Sequence, residues 1–402
     1  MLSTDFAPNE QWDDALFSLR LMFQPWKWYH GTAIKQAGKQ LQSYFSTNSD
    51  TTVHFSISGR GALYQLLKAL DLPQNTQVIV QAFTCEAVIL PVLANHLTPV
   101  YCDIEEQTFS IDPVQLTKAL NSNTKVIILQ HTFGIYPHRE KILKIAEKNS
   151  LIVIEDLAHG WDMDKMKQSG GESYKILSFG RSKAFSSVTG GAVISPKNYI
   201  SQKLATQEKS LRSIGSLTLI RYLLYKPLSV LIKKTYDIFL GKILLFFAKN
   251  LQLISPELSQ KEKRGVYDEI NNFSFPNALA VLLIHQLNKY DQIYINRKIL
   301  CDNYNRIFSV NHAYSTGLLR YPLIVKNRGD VLKKMQKQNI FLGKWYDTPI
   351  APKGIDLEIM RYKKGSCPVA EKLCAGIVNL PTTHCHSAIP GIYTTMQWAQ
   401  LA

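Results

Sequence analysis

From Thr52 onward, short runs rich in β-branched residues alternate with stretches of helical period. The runs are Thr52–Ile57, Gln77–Gln81, Thr98–Tyr101, Lys125–Gln130, Leu151–Glu155, Lys175–Phe179 and Gly191–Ser195. Helical patterns occupy intervals between them, at Ala87–Leu97, Pro113–Ala119 and Arg139–Lys148. Alternation at this spacing predicts crossover units, hence a mostly parallel sheet covered by helices on both faces. The interval Gly180–Gly190 is too short for a crossover helix and reads as a loop or an antiparallel return. In such sheets chemistry gathers at the carboxyl ends of the strands.

The pattern divides the chain into an N-terminal segment (1–50), the large α/β domain (51–200), an apolar and basic helical insert (201–265), a linking helix (266–300, helical at Pro276–Tyr294) and a smaller C-terminal α/β domain (301–402). In that last unit Tyr321–Lys326 and Ile340–Trp345 read as strands, and Arg328–Lys337 and Pro368–Ala375 as helices.

Composition narrows the class. Of 402 residues 46% are apolar and 19% charged, a balance that supports a large buried core and excludes a disordered or collagenous chain. The six cysteines are scattered, as in a reduced, cytoplasmic protein. Met1–Phe17 carries Asp5, Glu10, Asp13 and Asp14 and no apolar core, so no signal peptide is expected. His384 and His386 flank Cys385, but one such triplet without a partner cluster is a poor metal site, and no metal is expected. The net charge of +15 is not accompanied by a basic motif interleaved with aromatics, so nucleic acid is not expected as a partner.

Three strand ends carry candidate chemistry. Thr52–Ile57 leads into S-G-R-G-A-L (58–63), a turn of small residues at a helix start that suits a phosphate; taken alone it reads more readily as an ordinary tight βα connection. Leu151–Glu155 is followed by Asp156 and His159; an acid there is either a helix cap or the partner of a protonated ring nitrogen. Lys183 lies beyond the next strand among small and hydroxyl residues, where desolvation lowers an amine's pKa, although a lone lysine is more often a solvated charge. A phosphate cradle, a strand-end acid and a strand-end lysine, in that order, are what pyridoxal 5'-phosphate requires.

The residues also resemble a known family. The landmarks are H-G-T-A-I-K-Q (30–36), S-G-R-G-A-L (58–63), V-I-V-Q-A-F-T (78–84), H-T-F-G (131–134), V-I-E-D-L-A-H (153–159), S-F-G-R-S-K (178–183), T-G-G-A-V (189–193), P-N-A-L-A (276–280) and C-P-V-A-E-K-L (367–373). In order and spacing the chain resembles the DegT–StrS group of sugar aminotransferases, fold-type I pyridoxal-phosphate enzymes, with one interruption near 203–264. The resemblance implies that Lys183 forms the Schiff base and Asp156 pairs with the pyridine nitrogen. It places His159 near the cofactor's 3′ oxygen. Gly59 and Arg60 would bind the phosphate through their backbone, and Ser178 through its hydroxyl. Asn272 matches an Asn that reaches the partner subunit's phosphate, which implies a homodimer. Two positions depart from the pattern: Cys85 stands where the family stacks an aromatic ring on the cofactor, and Asn272–Phe275 lacks the family's arginine.

The expected activity is transfer of an amino group, with glutamate as donor, to a keto group on a nucleotide-activated or lipid-linked sugar for surface polysaccharide. Two other classes share these features: a pyridoxal-phosphate enzyme of another reaction type, and a non-catalytic assembly partner that keeps the fold. Residues 215–254 hold six Lys or Arg and one Asp amid apolar residues, with no run long enough to span a bilayer. Pro227 and Gly241 divide this stretch into three, and Lys226 and Lys233, like Lys242 and Lys249, are seven apart and share a face if helical. The expectation is peripheral binding to the anionic inner face of a membrane, at about 1 kcal/mol per basic residue. Packing of the same helices against the body or a dimer partner fits the pattern equally.

Overall fold

The computed structural model describes residues 1–45, 50–136, 138–162, 173–254, 256–308, 316–383 and 389–398. The His384–Cys385–His386 triplet lies outside them. The chain opens with strand β1 (Leu2–Ser3) and helices α1 (Trp12–Met22) and α2 (Ala33–Phe45). It continues through β2 (Thr51–Ser56), α3 (Gly59–Leu70), β3 (Gln77–Gln81), β4 (Thr84–Cys85), α4 (Glu86–Ala94), β5 (Thr98–Cys102), α5 (Pro113–Ala119) and β6 (Thr124–Gln130). Next come α6 (Arg139–Lys148), β7 (Ile152–Asp156), β8 (Tyr174–Ser178) and β9 (Gly191–Pro196). Seven strands form one sheet in the order β2-β9-β8-β7-β6-β3-β5. All its pairings are parallel except those of β9, which runs antiparallel to both β2 and β8. The short Gly180–Gly190 interval is therefore the antiparallel return.

Alternation along the strands fills two cores. Val78, Val80, Val126, Ile128 and Ile154 point to one side, and Ile79, Ile127, Leu129 and Val153 to the other. The same alternation sends Glu155 and Asp156 to opposite faces. Glu155, fully buried, takes two hydrogen bonds of 2.7 Å from Arg139, one of 2.9 Å from His131 and one of 2.5 Å from Ser173.

The insert is helical: α7 (Tyr199–Ser210), α8 (Ser216–Thr235) and α9 (Leu240–Asn250). Pro227 does not divide it, because α8 runs straight through. A helical proline leaves the carbonyl four residues earlier without its N–H partner. Here that carbonyl, on Leu223, accepts the Ser18 hydroxyl of α1 at 2.7 Å instead. Of the first lysine pair, Lys226 is buried and Lys233 half-buried. Lys226 is 1% exposed and meets Glu10 at 3.2 Å, and Lys233 donates to the Ala7 carbonyl at 2.6 Å. They face inward because the polar backbone and acid of the N-terminal segment lie against this side of α8. The face of α9 with Leu240, Ile243, Phe246 and Phe247 is exposed. No helix among the described residues is long and apolar enough to cross a membrane.

The linking stretch is two helices rather than one, α10 (Asn277–Leu287) and α11 (Tyr290–Phe308). The break falls at Asn288–Lys289, where Lys289 reaches Asp13 and Asp14 and Tyr290 turns into the core against Trp161. The C-terminal unit contains β10 (Arg320–Ile324), α12 (Arg328–Lys337), β11 (Ile340–Phe341), β12 (Ile350–Ala351), α13 (Pro368–Gly376) and β13 (Ile377–Pro381). β10 pairs antiparallel with β13, whereas β1 joins β11 and β4 joins β12 in parallel. The strand expected over Ile340–Trp345 stops at Phe341. Beyond it the Asn379 side chain accepts the Trp345 N–H at 2.6 Å and turns the chain toward the sheet's carboxyl edge.

Candidate active site

At that edge β7 ends in Asp156 and β8 in Ser178, and the return to β9 carries Lys183. Asp156 is buried, and its Oδ1 accepts the Ala158 N–H at 2.9 Å. Burial raises its pKa, with that N–H and the Lys183 charge pulling the other way. Burial lowers the pKa of Lys183, against the opposing influence of Cys85, Asp156 and Glu257. The amine lies 4.8 Å from the centroid of the Trp345 ring. Its backbone is clamped: Asn9 Nδ2 donates to the carbonyls of Lys183 (2.7 Å) and Ala184 (3.1 Å), and Arg297 holds Asn9 Oδ1 at 2.7 Å.

His159 is buried with a defined tautomer. Its Nδ1 accepts the Phe133 N–H at 2.9 Å, which leaves the ring proton on Nε2, 3.0 Å from the Tyr346 hydroxyl. Burial, reinforced by the charges of Lys183 and Arg320, holds its pKa well below the usual imidazole range, so the ring is neutral. Cys85 stands at the start of α4; burial and neighbouring Glu86 push its thiol up to about 12. At the position after Thr84, where the resembled family stacks a ring, there is a protonated thiol, and the aromatic surface beside it comes from Trp345 and Tyr346 of the C-terminal unit.

The cradle is tight. Ser58 caps α3 by accepting the Gly61 N–H at 2.9 Å, so the N–H groups of Gly59 and Arg60 remain at the open end of the helix. A Cβ on Gly59 would stand 3.0 Å from the Ser178 Cβ and 3.2 Å from its Oγ, and one on Gly191 would stand 2.5 Å from the Gly59 nitrogen. The Arg60 side chain turns away to Glu262, 2.5 Å, and to the Glu257 carbonyl, 2.6 Å. The structure thus brings Gly59, Ser178, Asp156, His159, Cys85 and Lys183 to one edge of the sheet. Asn272 lies nearby, with its Oδ1 accepting from Tyr267 at 2.8 Å; it is Asn271 that touches the cradle, through Ser58 at 2.7 Å. A backbone anion seat, a buried carboxylate with no cationic hydrogen-bond donor among the described residues and a desolvated amine together fit pyridoxal phosphate.

Residues 18–222 and 249–388 match the profile of the DegT/DnrJ/EryC1/StrS aminotransferase family. The chain belongs to that family. The unmatched stretch, 223–248, covers the second half of α8 and most of α9. Among curated relatives, the 3-oxo-glucose-6-phosphate:glutamate aminotransferase of Bacillus subtilis is 33% identical over 152 residues, 38% of this chain and 34% of that one. The spore coat polysaccharide biosynthesis protein SpsC of the same organism is 30% identical over 129 residues, 32% of each chain. The alignment thus spans about a third of these relatives. The family fold extends much further. The crystal structure of Bacillus subtilis NtdA with the cofactor PMP superposes with a TM-score of 0.68 at 19% identity, over 96% of this chain and 83% of that one.

Sequence patterns did not point to Arg320, Trp345, Tyr346, Asn9 or Glu257. The one available signal was Arg320 itself, a charge inside the apolar run G-L-L-R-Y-P-L-I-V, where a buried cation requires a partner.

Proposed function

We propose that this chain is a pyridoxal-phosphate-dependent sugar aminotransferase. It takes the amino group of an amino acid, glutamate in this reading, and delivers it to the keto group of a nucleotide-activated or lipid-linked sugar in surface polysaccharide synthesis. The observation that carries the reading is the desolvated Lys183 beside the buried Asp156, at the strand ends of a member of this family. When bound, the cofactor supplies a sink for the electrons released as a substrate C–H bond breaks. Gly59 and Arg60 N–H groups and the Ser178 hydroxyl hold its phosphate. The Asp156 carboxylate holds a proton at its ring nitrogen. Lys183 Nζ, whose pKa burial lowers, carries the substrate's α-proton. His159, neutral and fixed between Phe133 and Tyr346, orients without contributing charge. In Lys183→Ala, turnover with glutamate and keto-sugars should fall by several orders of magnitude while circular dichroism stays native. Near-normal turnover would end this reading.

The same reading makes the enzyme a cytoplasmic homodimer in which Asn272 serves the partner's phosphate. It also places α9 against an anionic membrane. Support for the latter is the exposed apolar face of α9, flanked by Lys242 and Lys249, in a stretch largely outside the family match. The basic contribution there is smaller than the sequence suggests, since Lys226 and Lys233 face the body. Co-sedimentation with anionic but not neutral liposomes is expected; failure to pellet with either refutes the membrane contact.

A further inference from the structure

Arg320 opens β10 with a guanidinium that is 1% exposed. Its Cζ lies 3.3 Å from the centroid of the Trp345 ring, the same ring that Lys183 approaches. Nη1 is paired with Asp5 of the N-terminal segment. Nε and Nη2 are buried and have no hydrogen-bond partner among the described residues. These two N–H groups form one edge of the planar fork, the edge that grips a carboxylate or a phosphate with two parallel hydrogen bonds. Buried charged donors left unpaired are costly, and such groups in a native fold call for an explanation. Structural pairing does not supply one here, because Asp5 uses only the other nitrogen. The position of the guanidinium does: it lies against the same Trp345 ring that the Lys183 amine approaches, and its charge adds to the lowering of the Lys183 and His159 pKa values. In the working enzyme Lys183 is committed to the cofactor, which leaves Arg320 as a cation beside the reacting centre.

We propose that the Nε–Nη2 edge of Arg320 seats an oxyanion of the substrate, a carboxylate or a phosphate, next to Lys183; this rests on the aminotransferase reading above. Asp5, half exposed, competes for the same cation from the solvent side. An arriving anion gains what the Asp5 carboxylate gives up. Removing the Asp5 charge should therefore tighten anion binding, an effect that a purely structural ion pair would not produce.

The test uses the cofactor-loaded enzyme, so that the cofactor's own phosphate is already housed. Glutarate and inorganic phosphate are titrated separately by calorimetry into wild type, Arg320→Gln, Arg320→Lys and Asp5→Asn. The expected result is at least about tenfold weaker binding in Arg320→Gln, an intermediate loss in Arg320→Lys, which keeps the charge but not the fork, and tighter binding in Asp5→Asn. Binding of glutarate alone identifies the donor's carboxylate, and binding of phosphate alone a sugar-borne phosphate. The proposal is overturned if neither anion binds wild type, if Arg320→Gln binds as wild type does (or Arg320→Lys, should Arg320→Gln not fold), or if Asp5→Asn fails to tighten binding. Spectral conversion of the loaded enzyme by glutamate is recorded in parallel. Anion binding without conversion defeats the aminotransferase reading and leaves the seat standing; conversion without anion binding defeats the seat alone.

Discussion

Lys226 and Glu10 offer a sharp test of how the insert is held. Both side chains are buried, 3.2 Å apart, and Glu10 Oε2 already lacks a hydrogen-bond partner. At an effective dielectric of about 20 the attraction at that distance is about 5 kcal/mol, most of it offset in the intact pair by the cost of desolvating both charges. Lys226→Met removes the attraction but leaves Glu10 buried and uncompensated, so it should cost about 3–5 kcal/mol. At about 2 cal/mol/K of unfolding entropy per residue, 4 kcal/mol lowers the melting temperature of a chain this long by about 5 °C. The double variant Glu10→Gln, Lys226→Met no longer buries a charge and should recover most of the loss, giving a large coupling in a double-mutant cycle. The assay is thermal and urea unfolding of the four proteins, followed by circular dichroism. A single variant within about 1 kcal/mol of wild type, or a double variant no better than the single, would mean that Lys226 is solvated and α8 is not docked as described.

In Asp156→Asn, cofactor retention through Gly59, Arg60 and Ser178 should persist while turnover falls by about 100-fold or more, because an amide cannot hold the ring nitrogen protonated; turnover and the cofactor-to-protein ratio are measured together, and an unchanged rate contradicts the role. Glu86 is raised to about 7 by burial and by Glu262, against the pull of Arg60. Its folded-state pKa lies above its unfolded one, so the fold binds the extra proton, and stability falls as pH climbs from about 4.5 to about 7, by about 3 kcal/mol at most. Glu86→Gln should flatten that decline. A stability difference between Glu86→Gln and wild type that stays constant over this interval would refute it.

The sheet and the cradle were legible because each depends on neighbours in sequence. Val78–Val80 and Ile127–Leu129 announce strands by themselves, and S-G-R-G-A-L must turn wherever it stands. Lys183 and Asp156 were legible by their place after strands. What could not be read depends on distant partners. Pro227 looks like a helix end until Ser18, 205 positions before Leu223, takes up that residue's carbonyl. Lys226 looks solvated until Glu10 is found behind it, and Trp345 looks like strand until Asn379 holds its N–H. The aromatic surface missing at Cys85 arrives from a segment about 260 residues later, a distance over which no local pattern operates.

The first ten residues are tied at many points to distant parts of the chain. Leu2–Ser3 pairs with Ile340–Phe341, Asp5 with Arg320, the Ala7 carbonyl with Lys233, Asn9 with Lys183 and Arg297, and Glu10 with Lys226. On the ribosome most of those partners emerge late. At about 5–20 residues per second the N-terminal segment waits about 15–70 s between leaving the exit tunnel and finding β11. Until Arg297 and β11 arrive, the Asn9 clamp on the loop carrying Lys183 has nothing to hold it in place. The nascent chain therefore completes its sheet well before it completes its active site, and a segment made long before β11 is the one that closes the structure.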